Sequence, residues 1–279
     1  MEKPKQIRSI CFEFNSCMND PELNEDIHQY PIRPTYDGNQ ISIIIPTYKN
    51  VNFLIPCLNS LMYSCENLFE FEILLGIDNC QETLDFVSQN SFVNNENIQI
   101  FYFPKNVGPY VIRNTLYKVS KYKNILFFDS DDVVMGSSIP KILDRLSSHR
   151  IVKFKFYNFT DGTDYLREKL KTSSQIAHGV FAIRSDCFAE LNGFFGWKCG
   201  ADTEFLERYE FFDYDSYKFD EPLFYRRHHG NNITKSKETG INSEFREKYR
   251  QYIYKNRKTK GWKNPDKFET FLYSKIIIQ

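Results

Sequence analysis

Three carboxylates fall within four residues at Asp129-Ser130-Asp131-Asp132. Like charges this close repel, so gathering them is costly unless something positive binds. Oxygen ligands suit a hard divalent cation, Mn²⁺ or Mg²⁺, and such an ion commonly bridges the phosphates of a substrate. Asp and Ser also favour turns. The cluster therefore reads either as a metal site for a phosphate-bearing ligand or as a solvated turn.

The elements that would position it follow a clear rhythm. ISIIIP (41–46) is a short apolar, β-branched run and reads as a buried strand. Leu54, Leu58, Leu61 and Met62 follow at helical spacing. FEILLGID (71–78) and IQIFYF (98–103) read as further strands, separated by a polar, helix-compatible stretch to about 91. Ile112, Leu116 and Val119 mark a helix, and NILFFDSDD (124–132) is a fourth strand running into the carboxylates. Residues 139–147 look helical and IVKFKFYNF (151–159) alternates as a strand. This order predicts an α/β fold, a Rossmann-like, mainly parallel central sheet flanked by helices and joined by right-handed crossovers. Ligands of such sheets lie beyond the carboxyl ends of the strands. Pro46, Thr47 and Tyr48, then Asp78, then Asp129 to Asp132 all fall there, so three polar clusters are expected on one rim.

The second half is less regular. Residues 161–175 read as a polar connector, HGVFAIRSDCF (178–188) as a strand and helix start, and ADTEFLERYEFF (201–212) as a helix. PLFYRRHHGNN (222–232) reads as a strand and turn, and 241–275 as helical. His228 and His229 would point to opposite faces of their strand, so at most one reaches the rim. Trp197, in GFFGWKCG, suits either stacking on an acceptor sugar or core packing. Residues 246–263 hold eight Lys or Arg against one Glu, interleaved with aromatics. That pattern suits an anionic membrane surface, a polyanionic ligand or a solvated helix face. Residues 1–40 read as an extension that wraps the domain.

The chain of 279 residues suffices for one large α/β domain. Its net charge of zero argues against nucleic-acid binding. Seven scattered cysteines without a CxxC pair point to a reducing compartment. The N-terminal MEKPKQIRSICFEF has no apolar run of signal-peptide length, and no 18 apolar residues are contiguous. A cytoplasmic protein is expected, with membrane contact confined to a peripheral one through 246–263. A rival chemistry fits FFDSDDVV: an aspartate-dependent phosphatase with Asp129 as nucleophile and Asp131 as acid/base. Three strands precede the motif here, however, and no GDxxxD follows it.

Taken together, SIIIPTYKN (42–50), GIDNC (76–80), NVGPYVIRNT (106–115), ILFFDSDD (125–132), GVFAIRSDCFAELNGF (179–194), GADTEF (200–205) and YRRHHGNNIT (225–234) resemble glycosyltransferase family 2. These are inverting enzymes of GT-A fold, and the C-terminal strings look most like chondroitin-polymerase-type and capsule-type transferases. The resemblance covers 41–234. It implies a nucleotide-binding half (41–135), an acceptor half (136–234) and a basic helical C-terminal segment (235–279). Pro46, Thr47 and Tyr48 would contact the nucleoside, Asp78 the base, and Arg113 the base or diphosphate. Asp129, with Ser130 beside it, would hold the ribose or the metal. Asp131 would be the principal metal ligand, with Asp132 adjacent and His228 a third ligand. Asp202 would be the general base that deprotonates the acceptor, with Glu204 two residues on as the alternative. The family usually has Glu where this chain has Ala201. The implied reaction moves a sugar, with inversion, from a nucleotide-sugar such as a UDP-sugar to a hydroxyl of a glycan, lipid-linked or other acceptor, as in surface polysaccharide synthesis. Ala201 also admits a non-catalytic sugar-nucleotide-binding relative.

Overall fold

The computed structural model describes residues 7–12, 39–68, 70–164, 166, 170–230, 232 and 235–278. Most of the expected N-terminal extension lies outside these residues. Its described part, β1 (Ile7–Phe12), joins the edge of the sheet.

Isoleucines on both faces of one strand require cover on both sides, and β2 (Gln40–Thr47) has it. It pairs in parallel with β3 (Glu70–Asp78) and with β5 (Asn124–Phe127), so that Ile44 lies opposite both Leu74 and Phe127. β4 (Ile98–Phe103) extends the parallel block beyond β3. Helices α1 (Val51–Ser64), α2 (Gln81–Gln89) and α4 (Ser138–Leu146) cover one face, packing Leu58, Val87 and Ile142 with Ile43, Ile73 and Leu126. Helices α3 (Pro109–Val119), α5 (Ser185–Glu190) and α6 (Ala201–Phe211) cover the other, packing Ile112, Phe188 and Phe205 with Ile44, Leu74 and Phe127. Gly76 lets α3 approach: a Cβ there would collide with Ile112 Cγ2.

The central block of β2, β3, β4 and β5 is parallel, as expected, and the sheet as a whole is mixed. β8 (Phe181–Arg184) pairs antiparallel with β5, and β7 (Ile151–Thr160) antiparallel with β8. β9 (Ser216–His228) runs parallel to β7, and the two-residue β6 (Val133–Val134) closes that edge against β9. The reason is visible in the second half, where the strict strand–helix alternation that enforces parallel crossovers stops.

The C-terminal segment is also not wholly helical. α7 (Glu244–Thr259) ends at Lys260, whose φ of 51° is left-handed, before Gly261 and Pro265. The chain then returns as β10 (Tyr273–Ile278), inserted antiparallel between β4 and β1. Cys57, Cys65, Cys80, Cys187 and Cys199 are buried free thiols. Among the described residues no helix is long and apolar enough to cross a membrane.

Candidate active site

The carboxyl ends of β2, β3 and β5 meet at one rim. At the end of β2, Pro46 pairs with Gly76 of β3. Thr47 is buried, its hydroxyl without a partner among the described residues, whereas Tyr48 is 44% exposed. The turn continues through Lys49 (φ 57°) to Asn50, whose amide donates to Ser130 Oγ at 3.0 Å. This ties the β2 turn to the carboxylate cluster after β5.

Asp78 accepts the backbone N–H groups of Val107 (2.8 Å) and Gly108 (3.0 Å). Burial raises its pKa, and those two N–H groups pull it back. The carboxylate thus fixes the loop that leads into α3, where Gly108 takes φ +84° and Pro109 opens the helix. The role the resemblance implies for Asp78, holding a base, would have to share oxygens already bonded to this loop. The consequence is positional: Tyr110 and Arg113, one helical turn apart, are aimed at the rim. Arg113 is buried and donates Nη2 to Asp129 Oδ1 at 2.6 Å, while its Nε has no partner among the described residues.

The three carboxylates of the cluster take different roles. Asp129 remains 41% exposed and faces the rim. Its pKa is pushed up to about 6, because loss of solvent and Asp131 together outweigh the Arg113 guanidinium. Asp132 turns inward, buried, and accepts the Arg227 N–H at 2.9 Å. Asp131 stands between them, with Oδ2 2.8 Å from His229 Nε2 and 3.3 Å from Asn232 Nδ2. Its own carbonyl receives Arg227 Nε.

The histidine beside Asp131 is therefore His229, not His228. His228 lies on the exposed face of β9 and contacts Asn158 Oδ1 at 2.7 Å, with its pKa lowered by desolvation and by Arg226. His229 follows on the opposite, buried face, its ring 4.5 Å from that of Phe53. Only one of the pair reaches the cluster, as strand alternation requires, but it is the other one.

Burial lifts the Asp132 pKa well above the ordinary carboxylate value, with Asp131 and Asp129 adding to the rise. The folded protein then holds the proton to higher pH than the unfolded chain. Stability is therefore lost as pH rises above about 4 toward the folded value. Asp132→Asn keeps an oxygen for the Arg227 N–H and removes that penalty. Its thermal midpoint, without metal or nucleotide, is expected to exceed the wild type's by about 2–4 °C at pH 7. The gap should close near pH 4 in a scanning-calorimetry pH series.

Across the rim, Asp202 occupies the first turn of α6, following Gly200 in the left-handed region (φ 78°). Its Oδ1 accepts the Tyr110 hydroxyl at 2.9 Å and the Thr203 N–H at 2.9 Å. Tyr110 in turn accepts the Gly200 N–H at 3.2 Å. A Cβ built on Gly179 would lie 3.3 Å from Asp129 Oδ2 and 3.3 Å from Asp202 Oδ2. The two carboxylates thus approach the same point, beside a glycine whose missing side chain would crowd both. Tyr110→Phe removes one hydrogen bond to Asp202, worth about 1–1.5 kcal/mol. About a tenfold fall in kcat, with donor KM unchanged, is expected from steady-state kinetics.

Glu204 is excluded as a base by its surroundings. It is fully buried and paired with Arg208, also fully buried, at 2.8 Å. Arg208 further donates to the Leu191 and Gly193 carbonyls and to Asn264. Glu204→Gln leaves that guanidinium uncompensated and is expected to cost about 3 kcal/mol in denaturant unfolding, without a specific loss of turnover per folded molecule. Ala201 is fully buried among the aromatics of the α6 face. Trp197 is stacked on Tyr249 of α7 (4.3 Å, 6° between planes) and on Phe195. It fastens α7 to the segment before α6 rather than presenting an open platform.

Sequence reading missed Tyr110, Asn50 and Gly179. All three lie inside strings already singled out, but their placement depends on loops whose shape is tertiary. Among the described residues no three His, Cys, Asp or Glu side chains enclose a cation by themselves. The donor set nonetheless fits Mn²⁺ or Mg²⁺: a carboxylate and an imidazole in contact, with the remaining positions of the kind substrate phosphates and water fill.

Comparison with known proteins agrees with this geometry. Residues 42–200 match the glycosyl transferase family 2 model. A glycosyltransferase of Haemophilus influenzae is 29% identical over 126 residues, covering 43% of this chain and 48% of that protein. The poly(ribitol-phosphate) beta-glucosyltransferase of Bacillus spizizenii is 31% identical over 101 residues, covering 36% and 16%. A Rickettsia conorii glycosyltransferase is 31% identical over 115 residues, covering 41% and 18%. The matched regions thus span half or less of these relatives. The crystal structure of S. aureus TarS 1–349 in complex with UDP superposes with a TM-score of 0.55 at 19% identity, covering 79% of this chain and 72% of that one. The complex with UDP-GlcNAc gives 0.54 at 20% identity, covering 69% and 60%. These likenesses establish the GT-A type α/β fold and leave the phosphatase alternative without support. With a family model spanning more than half its length, the chain belongs to glycosyl transferase family 2.

Proposed function

We propose that this protein transfers a sugar, with inversion at the anomeric carbon, from a UDP-sugar to a hydroxyl of a glycan or lipid-linked acceptor in surface polysaccharide synthesis. The observation that carries the reading is the convergence of Asp129, on the nucleotide side, and Asp202, the base, on one point beside Gly179, which brings both within reach of one sugar. An in-line displacement needs a leaving diphosphate on one side of the sugar and a base on the opposite side. The UDP and UDP-GlcNAc held by structural neighbours support the choice of donor.

In this mechanism Tyr48 and the Thr47 hydroxyl receive the nucleoside, and Arg113, already on Asp129, offers its Nε to ribose or phosphate. Asp131 and His229 would hold Mn²⁺ or Mg²⁺. When bound, the ion neutralises charge that develops on the departing diphosphate. Asp202 takes the acceptor's proton as its oxygen attacks, while Tyr110 and the Thr203 N–H fix the carboxylate's direction. A screen of UDP-sugars for Mn²⁺-stimulated UDP release in the presence of saccharide acceptors tests the proposal, with product linkage read by NMR. An α-linked donor should give a β-glycoside. Product that retains the donor's configuration, or a protein that binds no UDP, would contradict it.

A further inference from the structure

A cavity of about 540 Å³ opens beside the start of α6, and none of the roles above uses it. One end, at the first turn of α6, is lined by His178 and Thr203, joined Nδ1 to Oγ1 at 2.9 Å. These residues adjoin Gly179 and Asp202 in the chain, so this end of the cavity lies next to the point that Asp129 and Asp202 approach. From there the cavity follows one face of α6 through Leu206 to Phe211, positions that recur at helical spacing. At 1.5 Å per residue that path is ~12 Å long, enough for a disaccharide. Lys260 and Trp262, just past the end of α7, also line it.

The lining has the chemistry of a carbohydrate site. Apolar surfaces from Leu206, Phe211 and Trp262 can meet the C–H faces of sugar rings, and charged groups between them can meet hydroxyls. The charges do not balance. Lys153 pairs with Glu210 at 2.7 Å, and Arg257 pairs with Glu207. Lys260 also lines the cavity and has no ion pair among the described residues, which leaves one positive charge uncompensated. On the reading that Asp202 is the base, we propose that this cavity is the acceptor's trailing subsite. It holds the saccharide behind the reacting hydroxyl, and Lys260 selects an acceptor that carries an acidic group there.

The test uses two disaccharides that differ only in that group, cellobiouronic acid and cellobiose, in saturation-transfer NMR with the purified protein. The variants are Lys260→Gly and Phe211→Ala. Lys260 has left-handed φ, so glycine removes the cation without backbone strain, and the thermal midpoint should hold or rise. Phe211 is partly exposed, so its truncation leaves the core intact. The acidic disaccharide should give the stronger signal with the wild type. Lys260→Gly should erase that preference, and Phe211→Ala should weaken both signals. Equal signals from the two sugars with the wild type, no signal from either, or indifference to both substitutions would overturn the proposal. UDP binding, followed separately by calorimetry, should be unchanged in both variants. A wild-type protein that binds the acidic sugar but not UDP would sink the donor reading and leave the subsite standing.

Discussion

Replacing Asp202 by Asn is expected to lower kcat by about 10³-fold while leaving UDP affinity unchanged. Oδ1 is occupied by the Tyr110 hydroxyl and the Thr203 N–H, so Oδ2, on the Gly179 side, is the atom free to take a proton. Asparagine has the same size and can keep its oxygen on Tyr110. It then turns an amide, which cannot act as a base, toward the acceptor. Fold and donor site survive, and proton removal does not. Single-turnover kinetics with saturating donor read this loss directly, and retained transfer would remove Asp202 from the mechanism. The contrast with Glu204→Gln sharpens the assignment. Glu204 lies two residues along the same helix, but its variant should lose stability and keep turnover, because its carboxylate faces Arg208.

Asp131→Ala is expected to weaken Mn²⁺-dependent UDP binding by about 100-fold or more, measured by calorimetry with and without the metal. Among the described residues, neither an arginine side chain nor a backbone N–H contacts the Asp131 carboxylate. Asp129 is held by Arg113, and Asp132 by the Arg227 N–H. Asp131 instead meets an imidazole and a side-chain amide, groups that can yield to or share a cation. His229→Ala should therefore weaken metal-dependent binding by about 10–100-fold, and His228→Ala should leave it close to wild type.

That pair of histidines shows where sequence reading stopped. Strand alternation correctly limits the site to one of them, because it depends only on backbone geometry. The phase of the alternation was not readable. β9 runs thirteen residues, and its pairing with β7 slips between Lys153 and Phe156, so counting along the strand loses register. The parallel block was legible, since Ile41 to Ile45 and Ile73 to Ile77 are apolar on both faces and such runs must be buried. The placement of three polar clusters on one rim followed from it. By contrast, Glu204 and Arg208 stand four apart in plain view, but only tertiary packing makes that pair fully buried and removes Glu204 from the chemistry. β10 was missed because its partners, β4 and β1, are remote in sequence, and nothing local distinguishes an edge-filling strand from the tail of a helix.

The most direct measurement is an anomalous-difference map at the manganese edge from a crystal grown with Mn²⁺ and UDP. One strong peak should appear against Asp131, with His229 beside it and UDP bound next to it. A peak on His228, or bound UDP with no peak near Asp131, would contradict it.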